Sequence, residues 1–222
     1  MQGVTSLPAV RGGAGTAVLT SKERVAPLGS CMKRYLITGG CGFVGSNLTS
    51  ALLADGHAVT VFDNLSRRGT ERNRDWLLAK NNPNLTFIQG DIRNFEEIRQ
   101  AAASQPFDVV IHTAGQVAVT TSVTDPREDF MINALGTFNV LEAVRALDRR
   151  PAVLLTSTNK VYGGMEEVKV VERNGRYEYE SLPDGVSEEQ PLDFHSPYGC
   201  SKGTADQYVR DYARIYDIPT VV

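Results

Sequence analysis

Arg34-Tyr35-Leu36-Ile37-Thr38-Gly39-Gly40-Cys41-Gly42-Phe43-Val44-Gly45-Ser46 decides the fold. The apolar run Tyr35–Ile37 reads as a buried parallel strand that stops at Gly39 and Gly40. A helical pattern follows, with Phe43, Val44, Leu48, Ala51 and Leu52 expected on its apolar face. Gly39, Gly42 and Gly45 punctuate the strand-to-helix turn at three-residue spacing. The first permits a sharp turn, the second lets backbone approach a pyrophosphate, and the third lets helix and strand pack closely. Free N–H groups at the helix start then face the negative charge. Such a triplet occurs by chance in ordinary loops, so its context matters. Val59, Val61 and Phe62 read as a second strand ending on Asp63, which follows Gly45 by 18 residues. A carboxylate there accepts the ribose hydroxyls of a dinucleotide.

Further along, strands and helices alternate. Third, fourth and fifth strands are expected at Leu85–Ile88, Phe107–Ile111 and Ala152–Leu155, and a sixth opens at Pro219–Val222. Helices are expected over Glu71–Lys80, with Trp76 and Leu77 inward, from Asn94 to about Ala103, over Pro126–Leu147, and from Pro197 to Tyr216. That alternation is the signature of an α/β chain with a doubly wound parallel sheet, whose ligands sit at the carboxyl ends of the strands. Between the fifth strand and the last helix, Val168–Glu180 alternates around Asn174-Gly175, the strongest short hairpin signal. A small β-ribbon insertion at about residues 165–182 is expected there.

With 222 residues the chain is long enough for one α/β domain plus a tail. A formal net charge of −3 and the absence of a basic stripe argue against a nucleic-acid partner. No apolar run approaches the length of a membrane span, so no membrane partner is expected. Cys31, Cys41 and Cys200 have neither metal-site nor disulfide-framework spacing, which fits a reducing, cytoplasmic location and no metal. Residues 1–31 lack periodicity, caps and a secretory apolar segment. They are expected to be a disordered extension ahead of a Rossmann domain over 32–222, with an organelle-targeting peptide as the competing reading.

The catalytic candidates come from Tyr198-Gly199-Cys200-Ser201-Lys202, read with Thr158 at the end of the fifth strand. Tyr198 and Lys202 are four residues apart and share one helix face. A nearby ammonium favours the phenolate, and the Thr158 hydroxyl can hold a substrate hydroxyl while Tyr198 removes its proton. Tyr-x-x-x-Lys alone is common on amphipathic helices. After a dinucleotide fingerprint and a Ser/Thr-rich strand end, the catalytic reading prevails.

Six stretches, Gly39–Asn47, Asp63–Gly69, Gly90–Asn94, Ala114–Ser122, Ser157–Gly163 and Leu192–Lys202, carry a resemblance covering Lys33–Val222. The chain resembles the extended short-chain dehydrogenase/reductase family of nucleotide-sugar epimerases and dehydratases. The resemblance implies bound NAD and a nucleotide-sugar substrate, with Thr158, Tyr198 and Lys202 as catalytic residues. Cofactor contacts are implied for Gly39, Gly42, Phe43, Val44 and Gly45 at the first turn, and for Asp63, Asn64, Ser66 and Arg67 after the second strand. They are also implied for Asp91, Ile92, Ala114, Gly115, Gln116, Asn133, Thr156, Tyr198 and Lys202. Substrate contacts are implied for Thr121, Ser122, Thr158 and Asn159. Where dehydratases of the family carry an Asp-Glu pair after the catalytic threonine, this chain has Asn159 and Lys160. Elimination lacks its acid and base, so epimerisation at C2 through a transient keto sugar is the implied chemistry, converting CDP-paratose to CDP-tyvelose. A UDP-hexose 4-epimerase and a non-catalytic NAD-binding module are the alternatives. Family members continue further and are expected to be homo-oligomers. The chain is therefore expected to be truncated before the small substrate domain, and inactive alone.

Overall fold

The computed structural model describes residues 31–222; the expectation for the amino-terminal extension lies outside the described residues, except at Cys31. In order, the elements are β1 (Arg34–Thr38), α1 (Phe43–Ala54), β2 (Ala58–Asp63), α2 (Thr70–Leu78), β3 (Leu85–Gln89), α3 (Phe95–Ala103) and β4 (Val109–His112). Then come α4 (Val119–Thr124), α5 (Pro126–Phe130), a π-helical turn (Met131–Leu135), α6 (Gly136–Arg145) and β5 (Ala152–Leu155). A hairpin of β6 (Val170–Arg173) and β7 (Arg176–Tyr179) precedes α7 (Ser196–Tyr216) and β8 (Thr220–Val221).

Six strands form one parallel sheet in the order β3-β2-β1-β4-β5-β8. Chain direction across the sheet reverses between β1 and β4, so their carboxyl ends open the crevice where such folds take ligands. Because side chains alternate across a strand, each central strand feeds two cores. Leu36, Phe62 and Val110 pack with Ile98, Leu141 and Val209 on one face; Ile37, Val61 and Ile111 pack with Leu53 and Leu77 on the other. The Asn174-Gly175 hairpin is antiparallel, with both turn residues at positive φ, as a two-residue turn requires.

Several local expectations need correction. The buried face of α1 is Gly45, Ser46, Thr49 and Leu53, whereas Phe43 and Val44 are exposed at 84% and 54%. Small residues face the sheet because the helix start lies against the β1 turn: a Cβ on Gly45 would sit 2.3 Å from the Gly39 carbonyl oxygen. In α2 Leu77 is buried, but Trp76 is half-exposed and carries the Lys80 ammonium over its ring at 3.9 Å. The fourth strand starts later than expected, at Val109, with Phe107 buried just ahead of it. The helix expected over Pro126–Leu147 is interrupted by the π-helical turn, and α4 has no counterpart among the expected helices.

Candidate active site

A cleft of about 660 Å³ opens at the β1/β4 crevice. Its floor is Gly39, Gly42 and Gly45, and Phe43 and Val44 stand at its mouth. Gly39 has φ +69°, and a Cβ there would lie 2.5 Å from the Ala114 amide nitrogen, so both conformation and space demand glycine. The Gly39 amide donates to Phe62 O, which closes the turn onto β2. Asp63, Asn64, Ser66 and Arg67 line one side, Asp91 and Ile92 the far end, and Ala114 and Gly115 the other wall.

Asp63 is nearly buried. Its Oδ2 accepts from the Cys41 amide (2.9 Å) and its Oδ1 from the Leu65 amide (2.8 Å), so the carboxylate locks the glycine turn to the β2 exit. Each oxygen keeps a lone pair for a ribose hydroxyl. Asn64 donates to Asp91 Oδ2 at 2.9 Å, and Arg93 forks onto Asp91 and reaches Glu128 at 2.7 Å. Burial pushes the Asp91 carboxyl up, but the Arg93 and Asn64 hydrogen bonds outweigh it, and its pKa falls below the ordinary value. A shaped glycine floor, a carboxylate at the β2 end and a far wall at β3 fit a dinucleotide lying across the crevice. Thr113, Val117, Ile132 and Asn73 also line it or brace it. Asn73, whose side-chain amide donates to Cys41 O, gave no sequence signal because its partner is 32 residues away.

The three catalytic candidates, Thr158, Tyr198 and Lys202, lie beside that cleft rather than in its lining. Tyr198 and Lys202 are buried on α7. Lys202 Nζ donates to Thr156 O at 2.6 Å, tying α7 to the end of β5 two residues before Thr158. Burial draws the Lys202 pKa down to about 8, opposed by Asp206 and Asp129. Thr158 Oγ1 accepts from the Lys160 amide at 3.3 Å and caps a 3₁₀ turn at Asn159–Tyr162, which leaves its O–H for a substrate oxygen. That turn reaches α7 closely, since a Cβ on Gly199 would be 3.1 Å from Lys160 O. Thr121 and Asn159 are exposed.

Three residues expected at ligand contacts also make intramolecular hydrogen bonds that build the surrounding structure. Ser122 is fully buried: its Oγ donates to Val119 O (2.7 Å) and accepts the Tyr198 amide (3.1 Å). It caps α7 from a neighbouring helix. Asn133 is buried with its Oδ1 taken by the Gln116 amide and its Nδ2 shared among Gln116 O, Asp129 and Ser201. Gln116 folds its own side chain onto both backbone groups of Ala118. These amides build the loop after β4. Among the described residues no cluster of three or more His, Cys, Asp or Glu could hold a metal, and no helix is long and apolar enough to cross a membrane.

A family model described as GDP-mannose 4,6 dehydratase matches residues 36–222. The chain belongs to that family. This nucleotide-sugar epimerase/dehydratase family has members that preserve the same architecture. CDP-paratose 2-epimerase of Salmonella typhi is 50% identical over 189 residues, covering 85% of this chain and 55% of its own. UDP-glucose 4-epimerase of Mycolicibacterium smegmatis is 33% identical over 185 residues, covering 83% of this chain and 53% of its own. The structure of UDP-glucose 4-epimerase of Thermus thermophilus in complex with NAD superposes with a TM-score of 0.67 at 32% identity, over 84% of this chain and 53% of that one. The chain thus spans about half the length of the curated relatives it matches.

Proposed function

We propose that this protein serves an NAD-dependent epimerase that inverts C2 of a CDP-linked sugar, converting CDP-paratose to CDP-tyvelose. The observation that carries this reading is the 50% identity to the relative named for that reaction, against 33% to one named for 4-epimerisation. The floor of Gly39, Gly42 and Gly45, with Asp63 and Asp91, would hold NAD, whose nicotinamide supplies hydride transfer from and to the sugar. Tyr198 takes the proton from the reacting hydroxyl and, once the keto sugar has presented its other face, gives that proton back to the same oxygen. Lys202, fixed by Thr156 O, favours the Tyr198 phenolate through its positive charge. Thr158 donates to the reacting oxygen and fixes its distance from Tyr198. Asn159 and Lys160 supply no carboxyl group to drive elimination. A cytoplasmic location and a homo-oligomer complete the proposal, the latter supported by exposed Phe130, Tyr208 and Ile215 on α5 and α7.

The direct test uses nucleotide sugar deuterated at C2. Oxidation and return within one site keep the label on C2 of the product, whereas proton exchange beside a carbonyl loses it to water. Loss of the label sinks the proposal. Cofactor choice gives a second test. The Asp63 carboxylate repels a 2′-phosphate, so calorimetry should find tighter binding of NAD than of NADP, despite Arg67 and Arg68 at the rim. Tighter NADP binding would show that these arginines outweigh it.

A further inference from the structure

Asp129 on α5 is 1% exposed, and no step above uses it. Its Oδ2 accepts from Ser201 Oγ at 2.5 Å and its Oδ1 from Asn133 Nδ2 at 3.1 Å. Ser201 directly precedes Lys202, and Asn133 grips Gln116 by both backbone groups. One carboxylate therefore joins α5, the π-helical turn, the loop after β4 and the catalytic helix.

Lys202 is itself only 7% exposed, and among the described residues its one hydrogen-bond partner is neutral, Thr156 O. An ammonium withdrawn from water requires a counter-charge or it gives up its proton. Among the described residues, four ionisable groups bear on it. Tyr198 lies one turn earlier on α7, and Asp206 lies one turn later, held by Ser157 Oγ at 2.9 Å. From β4 comes His112, sandwiched between Thr38 Oγ1 (2.5 Å) and Thr137 Oγ1 (2.9 Å). Thr137 donates to Asn133 O, so it accepts from His112 Nε2–H, and Nδ1 accepts from Thr38. Burial, then the Lys202 charge, draws the His112 pKa down to about 3, so the ring is neutral and offers no counter-charge. From α5 comes Asp129. Burial raises its carboxyl pKa, against the pull of Ser201, Asn133 and Lys202.

We propose that Asp129 is a positioning residue: a buried counter-charge that holds Lys202 as an ammonium, in concert with Asp206, and fastens α7 to the loop after β4. The inference rests on the proposed role of Lys202 as a charged partner of Tyr198. Its test reads Lys202 directly and needs neither sugar nor turnover. Competitive acetylation of the full chain across a pH series, followed by mass spectrometry, reports Lys202 against exposed Lys33 as internal reference. Asp129→Asn keeps the shape and removes the charge. Near pH 6 Lys202 should then be acetylated faster than in the parent, because a ten-fold larger fraction is uncharged for each pKa unit lost. Asp206→Asn should act in the same direction. A Lys202 profile unchanged in Asp129→Asn overturns the proposal.

Should Asp129→Asn fail to fold, the ¹³C carboxyl shift of Asp129 in the unaltered chain decides. An ionised Asp129 at pH 7 is expected, and a protonated one overturns the proposal. If the C2 label were lost in the epimerase assay while Lys202 still responded to Asp129, the nucleotide-sugar reading would fail and this inference would stand.

Discussion

Replacing Tyr198 by Phe is expected to lower kcat of the proposed epimerisation by about 10²–10⁴-fold while leaving cofactor affinity unchanged. The substitution removes one oxygen and keeps the ring, which is packed at 7% exposure near the start of α7. The features that place this residue are independent of its hydroxyl. Its amide is capped by Ser122 Oγ, whose own proton goes to Val119 O. Neither bond changes in the variant, so the fold of α7 and the Lys202–Thr156 tie should persist. What is lost is the proton acceptor. Steady-state kinetics with the nucleotide sugar, paired with calorimetric titration of NAD, separates the two effects. A variant that turns over like the parent would remove Tyr198 from the mechanism, whereas loss of NAD binding would mean that the hydroxyl has a structural task. Lys202→Met should impair both turnover and NAD binding, because Lys202 holds the end of β5 as well as favouring the phenolate.

The parts legible from the sequence are those set by local pattern. Gly39, Gly42, Gly45 and Asp63 announce the crevice because turn conformation, close packing and strand length fix their spacing. Tyr198 and Lys202 fall on one helix face by periodicity alone. The roles of Ser122, Gln116 and Asn133 were not legible, since each depends on partners brought near by tertiary structure: the Ser122 bond to the Tyr198 amide spans 76 residues. A buried polar side chain and a ligand-binding one look alike in sequence, and only the count of satisfied donors separates them. Asp129 was invisible for the same reason. The apolar face assigned to α1 went astray through another effect. Close approach to the β1 turn selects Gly45, Ser46 and Thr49, against the usual preference for large apolar residues on a buried face.

That close approach gives the second large effect, expected from Gly45→Ala. In a free helix this change is favourable by roughly 1 kcal/mol, since Gly is the poorer helix former. Here the new Cβ would stand 2.3 Å from Gly39 O and 2.7 Å from Gly40 Cα, both backbone atoms that no rotamer change can move aside. Forced overpacking costs about 1–3 kcal/mol and occasionally more, and a contact this short belongs at the upper end. The clash should therefore win by about 2 kcal/mol, which for a chain of this size lowers Tm by about 4–8 °C. Relief requires α1 to retreat from β1, which moves the Gly39 and Gly42 backbone that floors the cleft, so dinucleotide affinity should fall with stability. Gly42→Ala separates the two consequences. Its backbone, at φ −69° and ψ 176°, accepts any residue, and its Cβ would meet only Gly39 O at 3.1 Å. It should melt close to the parent yet bind the dinucleotide more weakly, because the added methyl enters the cleft. Differential scanning calorimetry with and without NAD reads both variants. A Gly45→Ala chain that melts like the parent would show that α1 can stand off from the β1 turn at no cost, and the packing account of the third glycine would fall.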